Sequence, residues 1–260
     1  MTNNNGIGKI AHSIFTPAIT LLGRMGYTGK FTLLWLMSLV AIAVVVYSLF
    51  ASLEQVIQPS RRELQGLALI EPVSQTVRLI QLHRGFSSAL LGGIETLKDR
   101  RANKEREAAE AFAAMEGHLP PRLTPSEDFR RLKADWERLR REGLRWSADA
   151  NFAAHTRLIE RLQSFEVFIA DEYALILDAE IATYYLIDTT ANKLPHALER
   201  LGQLRAYGTG ILARKQITES QKTKLSALML ELDSRLDELR INLDKSGRYN
   251  PAVQKSLLEA

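Results

Sequence analysis

Arg84 and Arg205 are the side chains in this sequence best placed to do chemistry. Arg84 follows Val77 and Ile80 by seven and four positions and precedes Leu91 by seven; Arg205 follows Leu198 and Leu201 by seven and four and precedes Leu212 by seven. Apolar residues at that period form the inward stripe of a helix. Both guanidinium groups are therefore expected inside, where an unpartnered charge is strongly unfavourable. A guanidinium fork matches the edge of a planar oxyanion. Two forks converging from different helices would seat a small anion, with Ser88, Tyr184 and His155 completing the cavity. Asp188, four residues beyond Tyr184, supports an alternative in which it neutralises one arginine across the bundle and fixes helix register.

Other chemistries find no support. The sequence contains no HExxH, no GxSxG, no phosphate-cradling glycine loop and no kinase motif, and its five histidines are scattered. The absence of cysteine removes thiol catalysis, disulfides and cysteine metal sites. No catalytic residue, metal ligand or cofactor is expected, and the chain is expected not to be an enzyme. The formal net charge of +4 does not imply nucleic acid, because 34 basic residues are offset by 30 acidic ones. The arginines between Arg130 and Arg145 alternate with Glu and Asp at helical pairing distances, the pattern of a solvated face.

The elements that must position these residues are all helical. The stretch from Phe31 to Leu53 carries no charge and is bounded by Lys30 and Glu54. At about 1.5 Å per residue it is long enough to cross a hydrocarbon core of ~30 Å. It continues into a helical pattern with no small-residue cleavage site close behind, as an uncleaved anchor would. Lys9, Arg24 and Lys30 precede it without any acidic residue, which places the N-terminus in the cytoplasm by the positive-inside rule. Residues Ile10 to Leu22, interrupted by Pro17, read as an interfacial segment. The expected organisation is a cytoplasmic segment over 1–30, a transmembrane helix over 31–53 and an extracytoplasmic helical domain over 54–260, large enough to hold its own core.

Beyond the anchor, a long first helix with breaks at Pro59 and Pro72 is expected to reach the stop at Gly92 and Gly93. A charged helix beginning at Lys98 ends before Pro120 and Pro121. Thr124, Pro125 and Glu127 form a helix start, followed by a stripe of Phe129, Leu132, Trp136, Leu139 and Trp146. Leu158, Leu162, Phe165, Ile169, Tyr173 and Ile176 alternate in steps of four and three, a bundle seam. A helix through Tyr184 and Tyr185 is bent at Pro195 and ends near Gly208 or Gly210. Thr218 and Gln221 make a capping box before a leucine seam from Leu225 to Leu243, ended by Gly247. Asn250 caps a last helix whose two turns before Ala260 suggest a chain that continues. The class is all-α: an N-terminal transmembrane helix and an elongated bundle of one or two stacked four-helix units that share long helices.

The segment EPVSQTVRLIQLHRGFSSALLGG, Glu71 to Gly93, resembles the first sensor helix of bacterial transmembrane receptors with nitrate- and nitrite-sensing-like helical domains. Its Gln81 to Gly85, with Ser87 and Ser88, is similar to their glutamine, acid-or-histidine, arginine, glycine, serine pattern. LDAEIATYYLIDTTANKLPHALERLGQLRAYG, Leu177 to Gly208, and FAAHTRLIERL, Phe152 to Leu162, resemble the matching regions of methyl-accepting chemotaxis proteins of proteobacteria. The resemblance implies a homodimeric periplasmic sensor in the inner membrane, whose ligand shifts the helices and whose downstream signalling domain lies outside this chain. It assigns anion binding to Arg84 and Arg205. His83 departs from the family pattern where a second charged residue is common, so a ligand other than nitrate is compatible with it. A histidine kinase or diguanylate cyclase sensor, or a single-pass partner-binding protein, are the alternatives.

Overall fold

A computed structural model describes residues 23–121, 123–124, 126–175 and 180–259. The expected interfacial segment Ile10 to Leu22, Pro125 and Ile176 lie outside the described residues. Among the described residues no strand occurs, and the chain is all-α. The helices are α1 (Tyr27–Leu91), α2 (Lys98–His118), α3 (Glu127–Glu142), α4 (Ala148–Glu172), α5 (Ile181–Ile187), α6 (Leu194–Arg214), α7 (Glu219–Tyr249) and α8 (Pro251–Glu259).

The chain divides into two compact units, 1–59 and 60–260. In the first, the described turns of α1 leave Phe31, Trp35, Ile42 and Phe50 exposed, and the helix is long and apolar enough to cross a membrane. The expected breaks at Pro59 and Pro72 do not occur, since α1 is helical through both. A proline removes one donor and crowds the preceding turn. At Pro72 the acceptor that loses its donor is the Ala68 carbonyl, while the Thr76 hydroxyl donates to the proline's own carbonyl at 2.8 Å.

The second unit has two apolar cores. The larger joins α1, α2, α3 and α4 through Val77, Ile80, Phe112, Trp136, Leu158 and Leu162. Consecutive helices alternate in direction: His83 of α1 faces Glu105 of α2, Phe112 stacks on Trp136 of α3, and Phe129 of α3 meets Phe165 of α4. The smaller core joins α4, α6 and α7 through Phe152, Ala206, Tyr207, Ile211 and Leu228. α1 borders this second group too. A Cβ added at Gly92 would lie 2.6 Å from that of Ala213 and 3.0 Å from the Gly210 carbonyl, so α1 and α6 approach there to a distance only glycine allows. The two helix groups share α1 and α4.

Several local signals act as the sequence predicts. Thr218 and Gln221 form a complete capping box on α7, and Gly93 takes φ 104° just after α1. Asn250 caps α8 by accepting from the Ala252 amide at 3.0 Å. Others differ. Ser126 caps α3 by accepting from the Phe129 amide at 3.2 Å, displacing Thr124 from that role. Gly247 is buried inside α7, which continues to Tyr249. Pro195 lies in the first turn of α6, where a missing N–H is harmless, and the backbone irregularity sits before it as a π-turn over Asp188–Lys193. α6 runs on past Gly208 and Gly210 to Arg214, closed by Lys215 in the left-handed region at φ 53°.

Burial decides which leucines hold this unit together. Leu162 is fully buried, whereas Leu212 is 77% exposed. Leu162→Ala should cost about 2–5 kcal/mol and Leu212→Ala about 0.5 kcal/mol or less, measured as the loss of unfolding free energy in urea.

Candidate functional site

A heavily partnered buried polar group is built on the face of α1 one turn beyond Ile80. Arg84 is wholly buried, and its guanidinium forks onto Glu199 of α6, with Nη1 at 2.6 Å from Oε1 and Nη2 at 3.1 Å from Oε2. Gln81 donates to Glu199 Oε2 at 2.9 Å, and Gln203 donates to Oε1 at 2.7 Å. Arg84 Nη1 also reaches the Thr156 hydroxyl of α4 at 3.1 Å. The Phe152 ring lies under the guanidinium, with its centre 5.3 Å from Cζ. Gly202 makes the space for the fork, because a Cβ there would lie 3.0 Å from Nη2. Arg84 Nε is buried without an acceptor. The arrangement is a charge-assisted, two-point grip on a planar carboxylate, drawn from three helices and shielded from water.

The neighbouring residue on α1 points into the other core. His83 Nδ1 lies 2.8 Å from His155 Nε2, and His155 Nδ1 lies 2.8 Å from the Asn151 carbonyl. A carbonyl only accepts, so His155 carries its proton on Nδ1, and its bare Nε2 accepts a hydrogen bond donated by His83 Nδ1–H. That leaves His83 Nε2 facing Glu105 Oε2 across 3.6 Å, while Glu105 is held by Arg101 at 2.9 Å. Burial pushes the pKa of His83 down and that of His155 well below the ordinary imidazole value, so both rings are neutral near pH 7. Trp136 closes this side, edge-on to His83 at 5.5 Å.

The structure does not bring the expected constellation together. Arg84 is an inward charge with a partner, as one expectation had it, but the partner is Glu199 and not Asp188. Asp188 accepts instead from Asn242 of α7 at 2.7 Å and from Asn192 at 3.1 Å. Arg205 is a correction: with Leu198, Leu201 and Leu212 it lies on the exposed face of α6. It borders a groove of about 220 Å³ with Leu82, Gly85, Phe86, Ala89 and Thr209. Ser88 is buried one turn beyond Arg84 and lines a small space with Phe152, Tyr207 and Gly210. Tyr184 is 38% exposed on α5, edge-on to Tyr185. Of the expected residues on other helices, His155 touches His83 beside Arg84, and Arg205 borders the same segment of α1 only across the groove.

Glu199 and Gln203 were missed because α6 inverts the usual amphipathic pattern. Over its first turns the inward face carries Ala197, Glu199 and Gln203 while Leu194, Leu198 and Leu201 lie exposed; Ala206, Tyr207, Gly210 and Ile211 continue the buried face. A hydrophobicity count selects the wrong face. The signal that could have found them is the polar pair Glu199 and Gln203 at i and i+4, enclosing Gly202 and continuing through small residues. Small residues at helical spacing mark where another backbone comes close.

A model of the nitrate and nitrite sensing family matches residues 75–259. No curated protein and no solved structure matches the chain.

One further ionisable group is poised within the bundle. Glu166 of α4 is buried and accepts from the Ser74 hydroxyl of α1, and burial raises its pKa to about 7. The folded state therefore binds this proton more tightly than the unfolded chain, whose carboxyl titrates near 4.5. The resulting stability is complete below that lower value and is lost as pH rises through about 7. Glu166→Gln should match the wild type at pH 4.5 and exceed it at pH 8 by roughly 1–3 kcal/mol, read from urea unfolding across that range.

Proposed function

Since the chain belongs to the nitrate and nitrite sensing family, we propose that it is the sensor region of a bacterial transmembrane chemoreceptor whose ligand is a small planar oxyanion, nitrate or nitrite. The observation that carries this reading is Arg84: a fully buried fork, already gripping a planar two-oxygen group, with Gln81 and Thr156 beside it. Nitrate and nitrite present the same planar edge of two oxygens that a carboxylate does. In a site closed to water, that grip is stronger than it would be at the surface.

The apolar turns of α1 anchor the protein in the inner membrane. The basic residues before them support a cytoplasmic N-terminus, with residues 54–260 in the periplasm. Ligand binding shifts α1 against α6, a displacement of the size that packed helices relay as rigid elements. The receptor acts as a homodimer. Support for that comes from the uncovered leucines Leu194, Leu198 and Leu201 of α6, spaced by four and three as in a coiled-coil seam. The similarity of Leu177–Gly208 to chemotaxis receptors favours that output over a histidine kinase or a cyclic-dinucleotide synthase.

Isothermal titration of the full chain in lipid nanodiscs tests the ligand. Nitrate or nitrite should bind, and Arg84→Lys should weaken binding by about 10-fold to 100-fold, because one ammonium cannot replace a two-point fork. Equal binding by both proteins, or no heat with either anion, would remove Arg84 from the role. Topology is checked separately. The sequence has no cysteine, so a single cysteine placed at the exposed Arg141 should react with a membrane-impermeant maleimide in spheroplasts without lysis.

A further inference from the structure

We infer that Glu199 is a tethered stand-in for the ligand: its carboxylate occupies the anion seat on Arg84 and must leave before an anion can bind. The inference rests on the assignment of Arg84 as the ligand grip made above. It adds that the resting sensor is held shut by its own side chain.

The donor geometry is the argument. A carboxylate has about four lone-pair sites. Glu199 has them filled by Arg84 Nη1 at 2.6 Å, Arg84 Nη2 at 3.1 Å, Gln81 Nε2 at 2.9 Å and Gln203 Nε2 at 2.7 Å. Apart from the tether to α6, nothing about this seat is particular to glutamate. A free planar anion could take over the same donors. The seat cannot hold both, because Glu199 already occupies all four of its donors. Two anions on one buried fork would also repel strongly.

The exchange couples occupancy to movement. Glu199 is 3% exposed, so once displaced it would be a buried charge without a partner unless α6 moves to release it. The nearest cation on its own helix, Arg200, is already engaged with Glu231 at 3.0 Å and Gln203 at 2.9 Å. Ligand binding therefore replaces a direct α1 to α6 bond with one through a small diffusible anion, and α6 is freed to shift against α1. A tethered competitor also lowers apparent affinity by the fraction of time the seat is free. That sets the threshold concentration of the sensor.

Calorimetry with sodium nitrate on the full chain in nanodiscs, in buffer without carboxylates, tests this. Glu199→Gln keeps the shape and removes the competing charge, and it should bind nitrate at least about 10-fold more tightly than wild type. Nitrate should also raise the melting temperature of this variant much more than that of wild type. Glu199→Asp retracts the carboxylate and should fall between the two, so the comparison survives if the Gln variant does not fold. In the double variant R84M/E199M, where apolar chains replace the pair, nitrate binding should vanish while the bundle stays folded. If wild type binds nitrate through Arg84 and neither Glu199 variant binds it more tightly, the stand-in role is wrong although the grip stands. If nitrate binds the double variant as well as wild type, or binds none of the proteins, the assignment of Arg84 falls and the stand-in role falls with it.

Discussion

A permanent positive charge lies at the heart of this bundle, and the helices around it are arranged to satisfy it. Arg84 has no access to water, and a guanidinium cannot shed its proton. It therefore fixes what must stand opposite: a carboxylate on α6, two glutamines to fill that carboxylate's remaining lone pairs, and a glycine to let the fork through. A buried ion pair of this kind adds little net stability compared with apolar residues of the same size. Its consequence is specificity: it sets the register of α1 against α6, and it does so with a bond that another anion could replace.

α1 is the element on which both helix groups converge. His83 and Arg84, adjacent in sequence, are about 100° apart around the helix. One enters the core shared with α2 and α3, and the other faces α6. The first contact is a neutral histidine pair whose proton positions follow from a single carbonyl acceptor; the second is a charge pair. A rigid helix gripped on two sides by different chemistry can move only if one grip is released. The histidine side is a neutral pair closed by Trp136 and backed by the Arg101–Glu105 pair, whereas the arginine side depends on one exchangeable carboxylate. Motion is therefore expected between α1 and α6, with α1 to α4 moving together as a packed unit.

The inverted amphipathicity of α6 follows from the same constraint. A helix that supplies Glu199 and Gln203 to a buried fork cannot use that face for leucines, and the small residues Ala197, Ala206 and Gly210 continue it so that α6 lies close against α1. The leucines are left on the outside at coiled-coil spacing. Ion-pair chemistry inside the bundle thus leaves leucines on the face of α6 directed away from it.

Much of the architecture was legible in the residues alone. The all-α class, the apolar stretch before Glu54, the glycine stop after Leu91, the capping box at Thr218 and the inward position of Arg84 follow from short-range rules: period, caps and the cost of burying charge. These depend on neighbours within about a turn or two of chain, and the sequence lists those neighbours. What surrounds Arg84 was not legible. Its partner is 115 residues away, the row holding Arg205 faces outward, and Asp188 bonds Asn242 instead of an arginine. Period shows that a helix has two faces, but not which one a distant charge requires inside. That choice was made only when α1 and α6 packed, because burying Arg84 without Glu199 would cost more than burying leucine on α6 could return.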